Sequence, residues 1–235
     1  MCGRFSLTTA PEAMRALFDY ENLPNLEPRY NIAPTQMVAV VRVAEEGRRE
    51  LALLRWGLIP HWARDASMAA RMINARAETV AAKPAFRDAF AHRRCLVPAD
   101  GFYEWRTEEG RKQPFRIGMK GGGGFAFAGL WESWTAPEEA DGAIAPGEAV
   151  ETVTIITTDA NQKLQPIHHR MPVILPVEAY ASWLDTHCPA NDAEALLRPF
   201  PAEPMAFYRV STRLNAVRND DPACIVPLNR QAEGS

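Results

Sequence analysis

The sequence predicts a single α+β domain built mainly from antiparallel strands. The chain has 235 residues, enough for one large domain, and segments rich in β-branched and aromatic residues follow one another with no regular helix between them. GGGG at 121–124 and the stretch 135–149 indicate loops rather than domain linkers. Seven segments are predicted as strands: 37–44, 50–58, 95–105, 114–119, 125–134, 150–158 and 171–175.

The predicted helices are few and peripheral. Thr9 and Glu12 have the spacing of a capping box and predict that a helix begins there and runs through PEAMRALF. The segment 177–198 predicts a pair of short helices.

Composition places the chain among ordinary globular proteins. Hydrophobic residues make up 47% and charged residues 23%, which excludes disordered and collagen-like chains. No apolar run reaches the roughly 20 residues of a membrane span, and no secretory signal is recognisable, so we expect a cytoplasmic protein with no membrane partner. Four cysteines without a CxxC pair predict reduced thiols, and no spacing predicts a metal site.

Charge is distributed unevenly along the chain. Residues 1–119 hold 18 basic against 14 acidic residues, and residues 120–235 hold 8 against 15. The basic first half is a weak indication of an anionic partner such as nucleic acid, and an ordinary solvated surface explains it equally well.

Cys2 is the first candidate for chemistry. If Met1 is removed, Cys2 carries an α-amine with a pKa of about 7.7–8.0 beside a thiol with a pKa of about 8.5. Such a 1,2-aminothiol can capture an aldehyde, because the amine forms an imine and the thiolate then closes a five-membered thiazolidine on the same carbon. The alternative is a cysteine that merely follows Met1 and has no chemical role.

Three further segments carry polar groups suited to a site. Asn74 and Arg76 can orient a substrate and hold its anion, or they can serve a loop structurally. Glu104 lies between two aromatic residues, so partial burial would raise its pKa and suit it to acid/base chemistry, unless it is a solvated strand residue. His168 and His169 precede a predicted strand, where neighbouring side chains point to opposite faces, so only one can enter a given site.

The remaining histidines and cysteines have no comparable context. They are expected to be surface or structural residues: His61, His92, His187, Cys95, Cys188 and Cys224.

Taken together and in order, nine segments resemble the SRAP family, the SOS-response-associated peptidases, which process abasic sites and cross-link to DNA. The resemblance covers about residues 2–228. An ordered set of motifs is far more specific than any one of them. The segments are MCGRF, RYNIAPTQ (29–36), WGLIPHW (56–62), INARAET (73–79), CLVPADGFYEW (95–105), KQPF (112–115), TTDAN (157–161), IHHRMPVIL (167–175) and VSTRLNAVRND (210–220).

The resemblance also implies a fold and a set of site residues. The family's fold is a single unit of curved, mainly antiparallel sheets that closes toward a β-barrel, so 1–235 is one domain with a core over 2–228 and a tail over 229–235. Cys2 resembles the family's N-terminal nucleophile. Its active-site partners are Asn74, Glu104 and His168, and a one-residue change of register would replace the last by His169. The matches to the DNA-binding surface are Arg4, Asn31, Pro34, Trp62, Arg76, Trp105 and Arg170.

The function implied by the resemblance is the capture of abasic sites in single-stranded DNA during the SOS response to DNA damage. Cys2 would form a thiazolidine cross-link without a metal or cofactor, in a monomer that associates with the nucleoid when bound to DNA. The intermediate imine also permits slow β-elimination, a DNA lyase activity. Two other interpretations stay open: a self-processing cysteine peptidase, and a single-stranded DNA-binding module without chemistry.

Overall fold

The computed structural model describes residues 2–22, 24–44, 47–139 and 144–228. The predicted tail, 229–235, lies outside the described residues, as does part of the predicted loop 135–149. The described residues form thirteen strands and four short α-helices, so the predicted α+β class is confirmed.

Strands account for most of the regular structure. They are β1 (Phe5–Leu7), β2 (Arg29–Ile32), β3 (Met37–Val43), β4 (Arg49–Trp56), β5 (Asn74–Arg76), β6 (Arg94–Ala99), β7 (Gly101–Glu108), β8 (Arg111–Met119), β9 (Phe125–Thr135), β10 (Ala149–Asp159), β11 (Arg170–Pro172), β12 (Ile174–Leu175) and β13 (Met205–Arg209). The α-helices are α1 (Pro11–Phe18), α2 (Arg87–His92), α3 (Tyr180–Leu184) and α4 (Ala190–Ala195). None of the helices in the described part of the chain has both the length and the apolar character that a membrane span needs.

Five strands close into a barrel. β4 pairs with β3, β3 with β6, β6 with β9 and β9 with β10, all in the antiparallel sense. β10 then pairs in parallel with β4, where Thr152 and Val153 lie opposite Arg55 and Trp56, and this pairing completes the ring. The prediction of mainly antiparallel sheets that close toward a barrel is therefore confirmed.

The second half of β10 extends beyond the ring and positions two short strands. Its residues 155–157 pair in parallel with β5, and its residues 157–159 pair in the antiparallel sense with β11. Ile155 pairs with both β5 and β9, and Thr157 pairs with both β5 and β11. Because a strand has two edges, β5 and β11 lie on opposite sides of β10. Both pair with β10 at Thr157, so they flank the same part of this strand.

A second sheet, in the order β13-β8-β7-β1-β2, packs against the barrel through aromatic rings. Phe5 of β1 lies edge-on to Trp56 and Phe127 of the barrel, with ring centres 5.2 and 5.8 Å apart. Phe102 of β7 contacts Phe127 at 6.0 Å. All four residues are buried, and such pairs contribute about 0.5–1.5 kcal/mol each beyond their buried area. This cluster holds β1 against the barrel.

The segment 95–105, predicted as one strand, is two strands in different sheets, so this part of the prediction is wrong. The chain changes sheet at Asp100. The buried carboxylate of Asp100 accepts hydrogen bonds from the hydroxyl of Ser6 (2.7 Å), from the backbone N–H and the hydroxyl of Thr8, and from Arg116 (3.0 Å). These partners come from β1, the residues after it, and β8. Asp100 therefore links β1 and the residues after it to β8 within the second sheet.

The capping box predicted at Thr9 is wrong. α1 begins at Pro11, Ala10 occupies the N-cap position, and no side chain caps this helix. Pro11 favours the first helical turn because its φ is already close to the helical value, and the hydroxyl of Thr9 lies 3.4 Å from the Asp100 carboxylate instead. The predicted helical pair over 177–198 is confirmed as α3 and α4, with shorter bounds.

Replacing Asp100 with alanine is expected to lower the free energy of unfolding by about 3–5 kcal/mol, because it leaves the Arg116 guanidinium, whose side chain is only 14% exposed, without its counter-charge. Urea denaturation measures this loss. Glu203→Ala is the control, since it breaks the exposed Lys120–Glu203 pair and should leave the denaturation midpoint unchanged. An equal effect of the two substitutions would contradict the role assigned to Asp100.

Candidate active site

The amino-terminal strand places Cys2 beside β7. Phe5 lies opposite Phe102, and the N–H of Tyr103 donates to the carbonyl of Arg4 at 3.0 Å. Continued in the same antiparallel register, the chain preceding β1 runs along the end of β7 that contains Glu104. Cys2 is fully buried there, with its Sγ 3.9 Å from the carbonyl oxygen of Arg4.

Glu104 is a buried carboxyl on β7, the strand that pairs with β1. Glu104 is only 5% exposed, although the end of β7 near Glu108 is accessible to solvent. Burial raises the pKa of Glu104 to about 7, and the positive charge of the amino terminus opposes this rise. Glu104 can therefore take up or release a proton near neutral pH, as the sequence analysis expected of an acid/base group.

The Cys2 thiol is protonated at neutral pH. Burial raises its pKa, and the negative charge of Glu104 raises it further. The charge of Glu104 is thus one of the influences on the Cys2 thiol. A thiol in this setting does not ionise by itself, so its chemistry requires a base.

His168 lies at a bend just before β11. Its Nδ1 is 3.0 Å from the backbone nitrogen and 3.1 Å from the carbonyl oxygen of Arg170, so Nε2 is the nitrogen through which the ring would exchange a proton. Burial lowers the pKa of His168, and the charge of the amino terminus lowers it further. The charge of the amino terminus also lowers the pKa of Cys2 and of Glu104.

The two adjacent histidines do not point to opposite faces, so that expectation is wrong. Their rings stack with centres 4.4 Å apart and planes inclined by 24°. The physical reason is that both residues precede β11, at a bend where strand alternation does not apply. His169 is exposed and His168 half-buried, which favours His168 as the site residue.

Asn74 lies in β5, a strand, where the sequence analysis expected a loop. It pairs with Ile155 of β10, and its Nδ2 donates to the carbonyls of Ile73 (3.0 Å) and Ile155 (3.4 Å). Its Oδ1 is buried and has no hydrogen-bond partner among the described residues. The indole of Trp56 donates to the carbonyl of Ile73 at 2.9 Å and packs on Phe5, so a chain of contacts connects β5 to the strand that follows Cys2.

Arg4 and Asn31, two of the predicted DNA-binding residues, direct their side-chain hydrogen bonds into the protein. Nη1 of Arg4 donates to Oδ1 of Asn31 (2.8 Å) and to the carbonyl of Leu214 (2.9 Å). Asn31 is fully buried, and its Nδ2 donates to the carbonyls of Leu214, Ala216 and Asn219. Both side chains thus hold the segment after β13, and their contact with DNA stays a prediction.

The other predicted DNA-binding residues differ in accessibility. Trp62 is 50% exposed and Arg76 is exposed, whereas Pro34 and Trp105 are half-buried. Arg170 is engaged by carboxylates, with Nη1 2.6 Å from Glu78 and 2.8 Å from Asp159.

Sequence reasoning missed two residues that shape the site. Asp220 accepts hydrogen bonds from the backbone of Tyr30 and Asn31 and from Arg29, so it anchors β2 to the segment after β13. Trp56 joins β1 to β5, as described above. Both residues lie in segments that resemble the family, Trp56 in WGLIPHW (56–62) and Asp220 in VSTRLNAVRND (210–220), but those segments did not assign them a role.

The comparisons with known proteins agree with one another. Residues 1–217 match the family model described as SOS response associated peptidase (SRAP). The abasic site processing protein YoqW of Bacillus subtilis is 42% identical over 96% of this chain and 99% of its own length. The abasic site processing protein HMCES of Gallus gallus is 32% identical over 97% of this chain and 78% of its own length. A crystal structure of a protein from Bacteroides thetaiotaomicron has a TM-score of 0.85 and 29% identity, and it covers 97% of this chain and 100% of that one.

Replacing Glu104 with glutamine is expected to stabilise the fold at alkaline pH. Folding raises the pKa of Glu104 from 4.5 to about 7. Above pH 7 the ionised carboxylate therefore destabilises the folded state by about 3 kcal/mol. Below about pH 4.5 the carboxyl is protonated in both the folded and the unfolded state, so this destabilisation is absent. The gain in the free energy of unfolding should therefore be near zero around pH 4.5 and grow to its full value by pH 8.

Urea denaturation of both proteins between pH 4.5 and pH 8 measures this difference. Glu108→Gln on the same strand is the matched control. A hydrogen bond from Arg106 lowers the pKa of Glu108, so losing that carboxylate should have the opposite sign. A gain for Glu104→Gln that does not vary with pH would contradict the raised pKa.

Proposed function

The chain belongs to the SRAP family of SOS response associated peptidases, and from this membership we propose that it captures abasic sites in single-stranded DNA as covalent cross-links to Cys2. Relatives named abasic site processing proteins support an enzyme-like role in processing damaged DNA. The observation that carries the proposal is the buried Cys2 thiol beside Glu104, a carboxyl whose pKa is about 7. This pair combines a nucleophile that needs a base with a base that ionises at neutral pH.

Maturation is the first step of the proposal. Removal of Met1 turns the Cys2 nitrogen from an amide into a primary amine, which is the group that reacts with an aldehyde. Glu104 is the proposed acceptor of a hydrogen bond from this amine and of its proton. The amine is then in its nucleophilic, uncharged form near neutral pH.

The cross-link forms in two additions. An abasic deoxyribose in its open form presents an aldehyde at C1′, the Cys2 amine adds to this carbon, and one water leaves to give an imine. The thiol S–H then adds across the C=N bond: sulfur bonds to C1′, and the proton ends on nitrogen. Because burial and Glu104 keep the thiol protonated, the Glu104 carboxylate removes the S–H proton as sulfur attacks and returns it to nitrogen.

His168 and Asn74 are assigned supporting roles. The closed sugar opens when its ring oxygen gains a proton, and Nε2 of His168 is the proposed donor, since the Arg170 backbone engages Nδ1. Asn74 directs Nδ2 to two carbonyls, which leaves its buried Oδ1 as an acceptor for an N–H of the amine or a hydroxyl of the sugar. The four residues would act together on one carbon.

The proposed DNA path follows the exposed residues. Trp62 offers a face on which a base can stack, worth about 1–3 kcal/mol, and Arg76 offers a cation for a phosphate. Trp105 and Pro34 would contribute apolar contacts. Arg4, Asn31 and Arg170 would contribute by shaping this surface, because protein groups already engage their polar atoms.

Two subsidiary activities belong to the same proposal. An imine at C1′ acidifies C2′, so β-elimination of the 3′ phosphate is a slow lyase reaction that competes with ring closure. The peptidase activity in the family's name is assigned to self-processing. The Cys2 thiol attacks the Met1 carbonyl, the Met1–Cys2 amide bond breaks to free the Cys2 amine and leave a thioester, and water hydrolyses that thioester to release methionine and restore the thiol. We further propose that the protein acts as a monomer in the cytoplasm, and at the nucleoid when bound to DNA.

Replacing Cys2 with serine is expected to abolish the heat-stable adduct with a single-stranded oligonucleotide that contains one abasic site. The serine variant keeps an amine and a hydroxyl, so it can form an imine that borohydride traps, but it cannot form a thiazolidine. Denaturing gels and mass spectrometry measure the adduct, whose mass for the wild type is that of protein without Met1 plus oligonucleotide minus one water.

Cys188→Ser is the control and should cross-link at the wild-type rate, because Cys188 lies in the segment between α3 and α4. A heat-stable adduct of the Cys2→Ser variant would show that the aminothiol is not the capturing group. DNA binding with no adduct from the wild type would favour a binding module without chemistry.

The rate of cross-linking is expected to rise with pH through about 7, as Glu104 ionises, and to rise further as the α-amine loses its proton. Glu104→Gln should lower the rate at pH 7 by about 100-fold, the lower end of what general base catalysis contributes. It should also remove the inflection near pH 7 and leave only that of the amine.

Single-turnover rates between pH 5.5 and pH 9 give these profiles. Glu108→Gln should keep the wild-type profile, since Glu108 is paired with Arg106 and Arg209 at the solvated end of β7. An unchanged inflection in Glu104→Gln would assign the proton transfer to another group.

A further inference from the structure

We propose that His61, Asp88 and Glu132 form a binding site for a divalent transition metal ion, for which Zn²⁺ is the best fit. The three residues come from the loop after β4, from α2 and from β9, and one ligand atom from each lies within 4.8 Å of the others. This site is separate from the cluster around Cys2, and it does not rest on the proposed DNA chemistry.

The distances suit a small ion. Zn²⁺ bonds of about 2.1 Å in a tetrahedral arrangement set neighbouring ligand atoms about 3.4 Å apart. Nδ1 of His61 is already 3.2 Å from Oε2 of Glu132 and is 4.0 Å from Oδ2 of Asp88. Movement of the Asp88 carboxylate toward the other two ligand atoms would complete three protein ligands and leave a fourth position for water, which is the arrangement of an open zinc site.

The ligands are oriented by neighbours of the kind that metal sites use. Glu132 is only 4% exposed, and its Oε1 accepts the N–H of Ser133 at 3.1 Å, so Oε2 is directed to the cluster. His92 stands four residues after Asp88 on α2, with Nδ1 3.3 Å from Oδ1 of Asp88, and can hold that carboxylate in place. His61 is 52% exposed, so an ion can enter from solvent.

The guanidinium of Arg93 contacts both carboxylates of the proposed site. Nη2 of Arg93 donates to Asp88 and, at 3.0 Å, to Oε2 of Glu132. The fit is incomplete, because Nε of Arg93 is buried without an acceptor among the described residues. Two carboxylates also outweigh one guanidinium, so the cluster keeps a net negative charge when both imidazoles are neutral. A divalent ion would neutralise that charge and displace the Arg93 side chain.

The donor set selects the class of metal. One imidazole nitrogen and two carboxylate oxygens are typical of borderline transition metals such as Zn²⁺, whereas Mg²⁺ prefers six oxygen ligands and keeps most of its water. The three ligands come from distant segments with no local spacing to reveal them, so the sequence did not predict this site.

Isothermal titration of ZnCl₂ into chelator-treated full-length protein tests the proposal. The Cys2→Ser background is used, since the aminothiol at Cys2 would itself bind zinc and since this variant cannot form the cross-link. We expect one saturable Zn²⁺ per chain, at least tenfold weaker binding in His61→Ala, and unchanged binding in the control His187→Ala, whose residue is exposed and outside the cluster. Equal binding in the His61 and His187 variants, equal binding of MgCl₂, or no saturable binding would overturn the site.

A second substitution separates this site from chance binding to a surface histidine. Arg93→Met removes the competing cation and should tighten Zn²⁺ binding at least tenfold, whereas a surface histidine acting alone would bind as before. Should Arg93→Met not fold, the visible absorption of bound Co²⁺ in the Cys2→Ser background decides the question. That absorption should be present in the parent and lost in Glu132→Gln, and its persistence in Glu132→Gln would overturn the proposal.

Discussion

The burial of the amino-terminal strand is the constraint on which the candidate site depends. β1 is held between β2 and β7, Phe5 is locked into an aromatic cluster with Trp56 and Phe127, and Asp100 binds the residues at its far end. Cys2 precedes Phe5 by only three residues, and a chain of three residues spans about 10 Å at most. The fold therefore determines where Cys2 lies, although residues near a terminus are usually among the least constrained of a chain.

Desolvation then sets the chemistry of the groups around that terminus. Burial raises the pKa of both Cys2 and Glu104 and lowers that of His168, so each of the three is driven toward its neutral form. An exposed site of the same composition would hold an ionised carboxylate and a thiol with an ordinary pKa. Ionised Glu104 destabilises the fold. The aromatic cluster and the hydrogen bonds of Asp100 stabilise the same region and offset this effect.

The polar residues of this region divide into clamps and exposed groups. Arg4, Asn31 and Asp220 direct their hydrogen bonds into the protein and hold β2 and the segment after β13 around β1. Trp62 and Arg76 instead face solvent. A residue can therefore belong to a functional motif because it builds the surface rather than because it contacts the ligand. The cluster of His61, Asp88 and Glu132 could not be predicted from motifs, because no single motif spans the three segments that contribute these residues.

The sequence alone determined the α+β class and the long strands, because β3, β4, β8, β9 and β10 carry enough β-branched and aromatic residues to be recognised locally. It also supplied the residue types of the site, through an ordered set of motifs. Strands of three to five residues such as β1, β5 and β13 were missed, since pairing with distant partners, not local propensity, makes them strands. Only the tertiary structure decided the change of sheet at Asp100, the stacked histidines and the pKa of Glu104. Each of these depends on burial and on neighbours far away in the chain, which no local pattern encodes.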